Sequence, residues 1–231
     1  MSFFHRYDDR EAPRVVQAAR DLLIRTFAPA AVWFFVLWGL GWIIMVPLHA
    51  LPAELAVNRA FVAWRAPTID AVAKWWSWLG STNPTIVAGL LGVAVTWIAL
   101  RRWWVAIIPA IALFVESFIH FWVSIFVDRP RPDVPRIDGN QPTGSFPSGH
   151  SAASVALYFT FALLAQFIPI TWLRRALTVV FLLVPVFVVW SRLHTGMHHL
   201  SDVVVGVLHG LVCLVLAWGY LAPAKTEPTA G

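Results

Sequence analysis

Apolar residues in this chain are gathered into long blocks separated by short polar stretches, the pattern of helices that cross a bilayer. About 20 such residues span a hydrocarbon core of about 30 Å. Six blocks qualify, at roughly 28–50, 84–100, 103–127, 151–172, 176–191 and 203–222. The second and fifth are short and count as spans because of their neighbours. The predicted fold class is therefore all-α, an integral membrane bundle of about six transmembrane helices. Residues 1–27 are polar and rich in arginine, which predicts an amphipathic cytoplasmic segment. The apolar run after it is too long for a signal peptide, so an uncleaved anchor is expected. Residues 52–83 interleave Trp64, Trp75, Trp76 and Trp78 with Arg59, Arg65 and Lys74. That mixture predicts an interfacial helical segment between the first and second spans. Five prolines and two glycines in 128–147 make that stretch a structured loop. The organisation expected is one six-span domain over 28–222, with a disordered tail over 223–231.

Composition agrees with a chain solvated by lipid. Hydrophobic residues make up 59% of the 231 residues and charged residues 13%, about half the charged share of a soluble domain. A net charge of +5 would suggest nucleic acid in a soluble protein. Here the basic residues fall mostly in loops and the N-terminal tail, so no nucleic-acid partner is expected. Cys213, the single cysteine, lies in an apolar run, which excludes an intramolecular disulfide and a thiolate metal site. The basic residues also set orientation. Arg6, Arg10, Arg14, Arg20, Arg25, Arg101, Arg102, Arg174, Arg175 and Lys225 lie on one side, ten against seven on the other. Cytoplasmic loops are the more basic ones. Both termini are then expected in the cytoplasm of a cell (plasma or inner) membrane.

The candidate chemistry sits at the ends of the last four blocks. Arg131-Pro132 is followed by Pro147-Ser148-Gly149-His150, then by Ser191-Arg192, His198 and Asp202. All of these fall on the extracytoplasmic side of the predicted topology. Arginine presents a planar fork of donors suited to phosphate. A helix starting near Ser148 aims free backbone N–H groups and a positive dipole end at the same surface. Gly149 lets an oxyanion approach that backbone closely. His198 and Asp202 are one helical turn apart, which makes a direct hydrogen bond between them easy. Asp202 would then fix the ring's tautomer for nucleophilic attack. Each block alone has a structural explanation: a proline-punctuated basic loop, a helix cap, an interfacial capping pair. Their order, spacing and common side favour one site.

At these residues the chain resembles the type-2 phosphatidic acid phosphatase superfamily, which includes vanadium haloperoxidases. The family pattern is Lys-x6-Arg-Pro, Pro-Ser-Gly-His and Ser-Arg-x5-His-x3-Asp. The resemblance covers roughly 60–220. It implies that His198 is a nucleophile forming a phosphohistidine, with His150 as general acid. It further implies that Arg131, Arg192, Ser148 and the Gly149 amide bind phosphoryl oxygens. No cofactor or metal is implied, since arginines and helix dipoles supply the positive charge. The expected function is hydrolysis of a lipid phosphate or diphosphate at the outer leaflet, the bilayer and the lipid being the partners. Undecaprenyl diphosphate ranks first, phosphatidic acid and phosphatidylglycerol phosphate next. A non-catalytic lipid-phosphate binding or flipping protein is the alternative, disfavoured by retention of both histidines and Asp202. A haloperoxidase is disfavoured by the hydropathy.

The first block departs from the family pattern, because Ser124 stands where the lysine belongs. Serine offers a neutral hydrogen bond and no charge. Arg129, two residues before Arg131, is the expected source of the missing cation, with Lys74 a weaker candidate. His194 and His199 match nothing in the pattern and are expected to be interfacial polar residues. Glu116, His120 and Ser124 recur at intervals of four, one helical face, and His209 lies seven after Asp202. Such intramembrane groups usually face a bundle interior. A buried polar clasp between spans is favoured over a proton or substrate path.

Overall fold

Apolar length dictates the architecture. The structure, a computed structural model describing residues 12–139 and 143–221, has eight helices and no strand among those residues. They are α1 (Val15–Met45), α2 (Leu55–Ala63), α3 (Pro67–Leu79), α4 (Thr82–Leu100), α5 (Trp103–Val127), α6 (Gly149–Phe167), α7 (Thr171–His194) and α8 (Leu200–Trp218). Six of them, α1 and α4 to α8, are long and apolar enough to cross a membrane. The spans expected at 84–100 and 103–127 therefore stand. The fifth is longer than its apolar core suggested, because Arg174 and Arg192 extend the same helix at both ends.

The polar leader does not form a separate element where it is described. From Val15 it continues straight into the first span, with a π-helical turn over Leu23–Phe27. At 1.5 Å per residue, 31 residues reach about 45 Å. That exceeds a hydrocarbon core of about 30 Å, so the end carrying Arg20 and Arg25 projects beyond it. Residues 1–11 and the tail expected over 223–231 lie outside the described residues.

Helices α2 and α3 occupy the predicted interfacial segment. Trp64, Trp75 and Trp78 are exposed there, as in an aromatic belt. Trp76 instead stacks on Phe187 of α7 at 4.6 Å, tying α3 to the bundle. Helix α6 is the axis, buried from Ser151 to Tyr158 and packed by α5, α7 and α8. Helix α8 approaches it closely because Gly206 and Gly210 face it. A Cβ at Gly206 would sit 2.6 Å from the Ser148 carbonyl oxygen, and one at Gly210 2.5 Å from that of Ala152. Small residues spaced by four let membrane helices touch through their backbones. Helix α4, by contrast, buries only Thr85, Gly89 and Thr96.

No helix forms in the described part of 128–147, as its prolines require. The loop is nevertheless stitched down. Arg65 donates to the carbonyls of Pro135 (2.7 Å) and His194 (2.9 Å), and the Ser145 amide donates to the Arg129 carbonyl (2.8 Å). The chain then turns from α7 toward His198 at Gly196, whose φ of +73° suits glycine. The ends of α5 and α7 and the starts of α6 and α8 thus converge at one end of the bundle.

Candidate active site

At that end a cavity of about 320 Å³ is lined by Arg131, Gly149, His150, Arg192 and His198. Four separate chain segments deliver these residues, and two polar groups of α5, Glu116 and His120, complete the wall. The cavity continues into an apolar groove between α4 and α5. Ile86, Leu113, Ser117 and Phe121 line both spaces.

Each cation is held from behind. Arg131 donates through Nη1 to the Met197 carbonyl (2.7 Å) and through Nη2 to the carbonyls of Thr143 (3.2 Å) and Gly144 (3.4 Å). Burial, with Arg192 adding to it, lowers Arg131 to about 10, so it remains a cation at neutral pH. Arg192 places Nη1 on Ser77 Oγ and 2.5 Å from Asp138 Oδ2. Ser77 in turn donates to Asp138 at 2.7 Å. Asp138 is therefore the counter-ion of Arg192. The sequence offered only one loop carboxylate among several there and did not single it out.

The carbonyl of Ser145 fixes the tautomer of His198. Nδ1 lies 2.8 Å from that oxygen, which only accepts, so Nδ1 carries the proton and Nε2 keeps its lone pair. Asp202 does not make the expected direct hydrogen bond, as its Oδ2 is 3.8 Å from Nδ1. That carboxylate instead takes the His199 amide at 2.8 Å, capping α8, and Arg129 Nη1 at 2.6 Å. Asp202 contributes charge near the ring but does not orient it. Burial pushes His198 down to about 4; Asp202 opposes that shift, while Arg192 and Arg131 add to it. The ring is neutral at pH 7, with a lone pair on Nε2.

Gly149 opens α6, with Ser148 extended at its cap. Ser148 itself is fully buried, shares a 2.9 Å hydrogen bond with Ser151 Oγ, and does not line the cavity. Only its backbone neighbours Gly149 and His150 face the open space.

The expectation for Arg129 is not met. Its guanidinium is fully buried and divided between Asp202, Glu54 (2.9 Å), Ser201 Oγ (2.7 Å) and the Ala50 carbonyl (2.7 Å). Two carboxylates neutralise it, and it does not line the cavity with Arg131 and Arg192. Glu54 extends this unit by accepting the Ser201 amide at 2.7 Å. Ser124 is also buried and donates to the Phe121 carbonyl at 2.9 Å. Lys74 is exposed on α3 and outside the cavity wall.

The remaining histidines separate. His194 pairs with Asp70 at 2.7 Å and stacks on Trp190, and His199 meets the Pro130 carbonyl at 3.2 Å. Neither lines the cavity. His209 forms the expected clasp between spans: Trp33 Nε1 donates to Nδ1 at 3.1 Å, which leaves Nε2 to donate to the Glu116 carbonyl at 3.1 Å. Glu116 and His120 depart from the clasp reading, since both line the cavity.

Comparison with known proteins agrees with this fold. Residues 105–225, more than half of the chain, match the family model described as the PAP2 superfamily. Phosphatidylglycerophosphatase B of Bacillus subtilis is 25% identical over 173 residues, 73% of this chain and 83% of the relative. Among solved structures, a transmembrane PAP2-type phosphatidylglycerolphosphate phosphatase from Bacillus subtilis shares the fold. Its TM-score is 0.68 at 21% identity, covering 84% of this chain and 94% of that one. LpxE of Aquifex aeolicus superposes with a TM-score of 0.53 at 22% identity, over 71% and 93% respectively.

Proposed function

Because the chain belongs to the PAP2 superfamily, we propose that it is an integral membrane phosphatase that hydrolyses a lipid phosphate through a phosphohistidine on His198. The observation that carries this is the free Nε2 of a neutral His198 in one cavity with Arg131, Arg192, Gly149 and His150. Nε2 attacks phosphorus, the bond to the leaving oxygen breaks, and His150 hands that oxygen a proton. Water then attacks phosphorus while His150 takes its proton, and the phosphorus–nitrogen bond breaks to release phosphate and return the electron pair to Nε2. Arg131, Arg192 and the first-turn amides of α6 hold the charge that develops on the phosphoryl oxygens. These cations make the reaction independent of a metal ion.

The groove between α4 and α5 supports a lipid as the substrate. It joins the cavity to the hydrocarbon layer, so a headgroup reaches His198 while acyl chains stay in an apolar trough. Phosphatidylglycerol phosphate, the lipid in the Bacillus subtilis relative's name, comes before undecaprenyl diphosphate and phosphatidic acid. Arg101, Arg102, Arg174 and Arg175 occupy the opposite end of the bundle, which supports an extracytoplasmic site by the excess of basic residues in cytoplasmic loops. Phosphate release from these three lipids by purified protein in mixed micelles tests the reading. Turnover of at least one, with an acid-labile phosphoryl label lost in His198→Ala, is the expected result. No release from any of them overturns it.

A further inference from the structure

The phosphate site lacks one cation that its sequence pattern calls for, and neither expected substitute reaches it. Ser124 turns its hydroxyl to the Phe121 carbonyl, and Arg129 is neutralised by Asp202 and Glu54. One turn before Ser124, on the same helix, His120 stands in the cavity wall. Its Nε2 edge lies over Gly149, so close that a Cβ there would come within 2.5 Å of that nitrogen. Its Nδ1 is buried with no hydrogen-bond partner. A polar ring lodged without a partner beside the phosphate-binding turn has no structural role on α5 that an apolar side chain would not fill better.

Resting on the phosphatase reading, we propose that His120 is a phosphate-binding residue that takes over the duty of the absent lysine. Its Nε2–H donates to a phosphoryl oxygen seated over the Gly149 backbone. Arg131, His150, His198 and Arg192 line the same cavity, so the anion meets His120 together with the arginines. Glu116 lies one turn deeper on α5, lines the same space, and has Oε1 buried without a partner. Gly149 has a double purpose in this arrangement, leaving room for the ring as well as for the anion.

The test is binding of inorganic phosphate and of orthovanadate to the full-length detergent-solubilised protein, read by tryptophan fluorescence and so independent of turnover. His120→Ala is expected to raise the dissociation constant roughly 10- to 100-fold, the weight of a charge-assisted hydrogen bond. His120→Gln keeps a neutral donor and should fall between wild type and His120→Ala. It also decides the matter if His120→Ala fails to fold. Wild-type affinity in a folded His120→Ala protein, or in His120→Gln, overturns the assignment. If the wild type binds phosphate but releases none from any lipid, the phosphatase reading fails, and the binding data still decide the role of His120.

Discussion

Arg129 and Asp202 meet at 2.6 Å with no exposed side-chain surface on either. Breaking such a pair from one side leaves an uncompensated buried charge, which costs about 3–5 kcal/mol. Arg129→Ala is therefore expected to lower the melting temperature sharply as well as the activity. Ser124→Lys, which adds a cation elsewhere, should not restore it. A stable Arg129→Ala protein with weakened phosphate binding would return Arg129 to the phosphate site.

In the proposed mechanism His198 sets the acid side of the pH profile. Its ordinary value is 6.5, and burial brings it to about 4. Protonation removes the attacking lone pair, so kcat/KM should fall only as the pH drops toward 4, and not through 6.5. An acid limb centred near 6.5, lost in no other variant, would show that His198 is more hydrated than its burial implies.

Asp202→Asn separates tautomer control from charge. The Ser145 carbonyl already holds Nδ1–H, so the substituted protein keeps the correct tautomer. It loses one of the two carboxylates that neutralise Arg129 and keeps Glu54. The expected result is lower stability with a reduced rate, and a phosphohistidine that still forms. Complete absence of the covalent label in a folded Asp202→Asn protein would instead give Asp202 the orienting role.

Chelation should leave turnover unchanged, because Arg131 and Arg192 supply the positive charge in the proposed mechanism. Orthovanadate, which mimics a five-coordinate phosphoryl group, should inhibit. Activity abolished by EDTA and restored by Mg²⁺ would require a different chemistry.

Gly206→Ala and Gly39→Ala make a matched pair. The first drives a methyl into the Ser148 carbonyl, and the second meets nothing within 4 Å. Overpacking costs about 1–3 kcal/mol, so Gly206→Ala should melt earlier and Gly39→Ala should not. Equal melting temperatures would mean that α6 and α8 separate easily.

The spans and the residues that meet in the cavity were legible because apolar length and motif spacing are both carried by residue type. Apolar length announces a crossing, and Arg131, His150, Arg192 and His198 announce themselves by spacing. The role of Arg129 was hidden because its partners, Glu54 and Asp202, are distant in sequence and meet only in the fold. Ser145 acts through a carbonyl, which every residue possesses, so no side chain could signal it. Ser124 was misplaced by treating a spacing of eight as one face. Eight residues on an α-helix rotate about 80° past two full turns. Glu116 and His120 consequently reach the cavity, while Ser124 turns into the protein.

The backbone contact between α6 and α8 makes those helices a fixed frame. It carries His150 on one member, with His198 just ahead of the other, and carbonyls pressed against glycines leave little freedom to shear. Helix α4 buries far less of itself, chiefly Thr85, Gly89 and Thr96. Apolar exchanges along the lipid-facing side of α4 should therefore leave the distance between the two histidines unchanged, because that distance is fixed by backbone contacts elsewhere in the bundle.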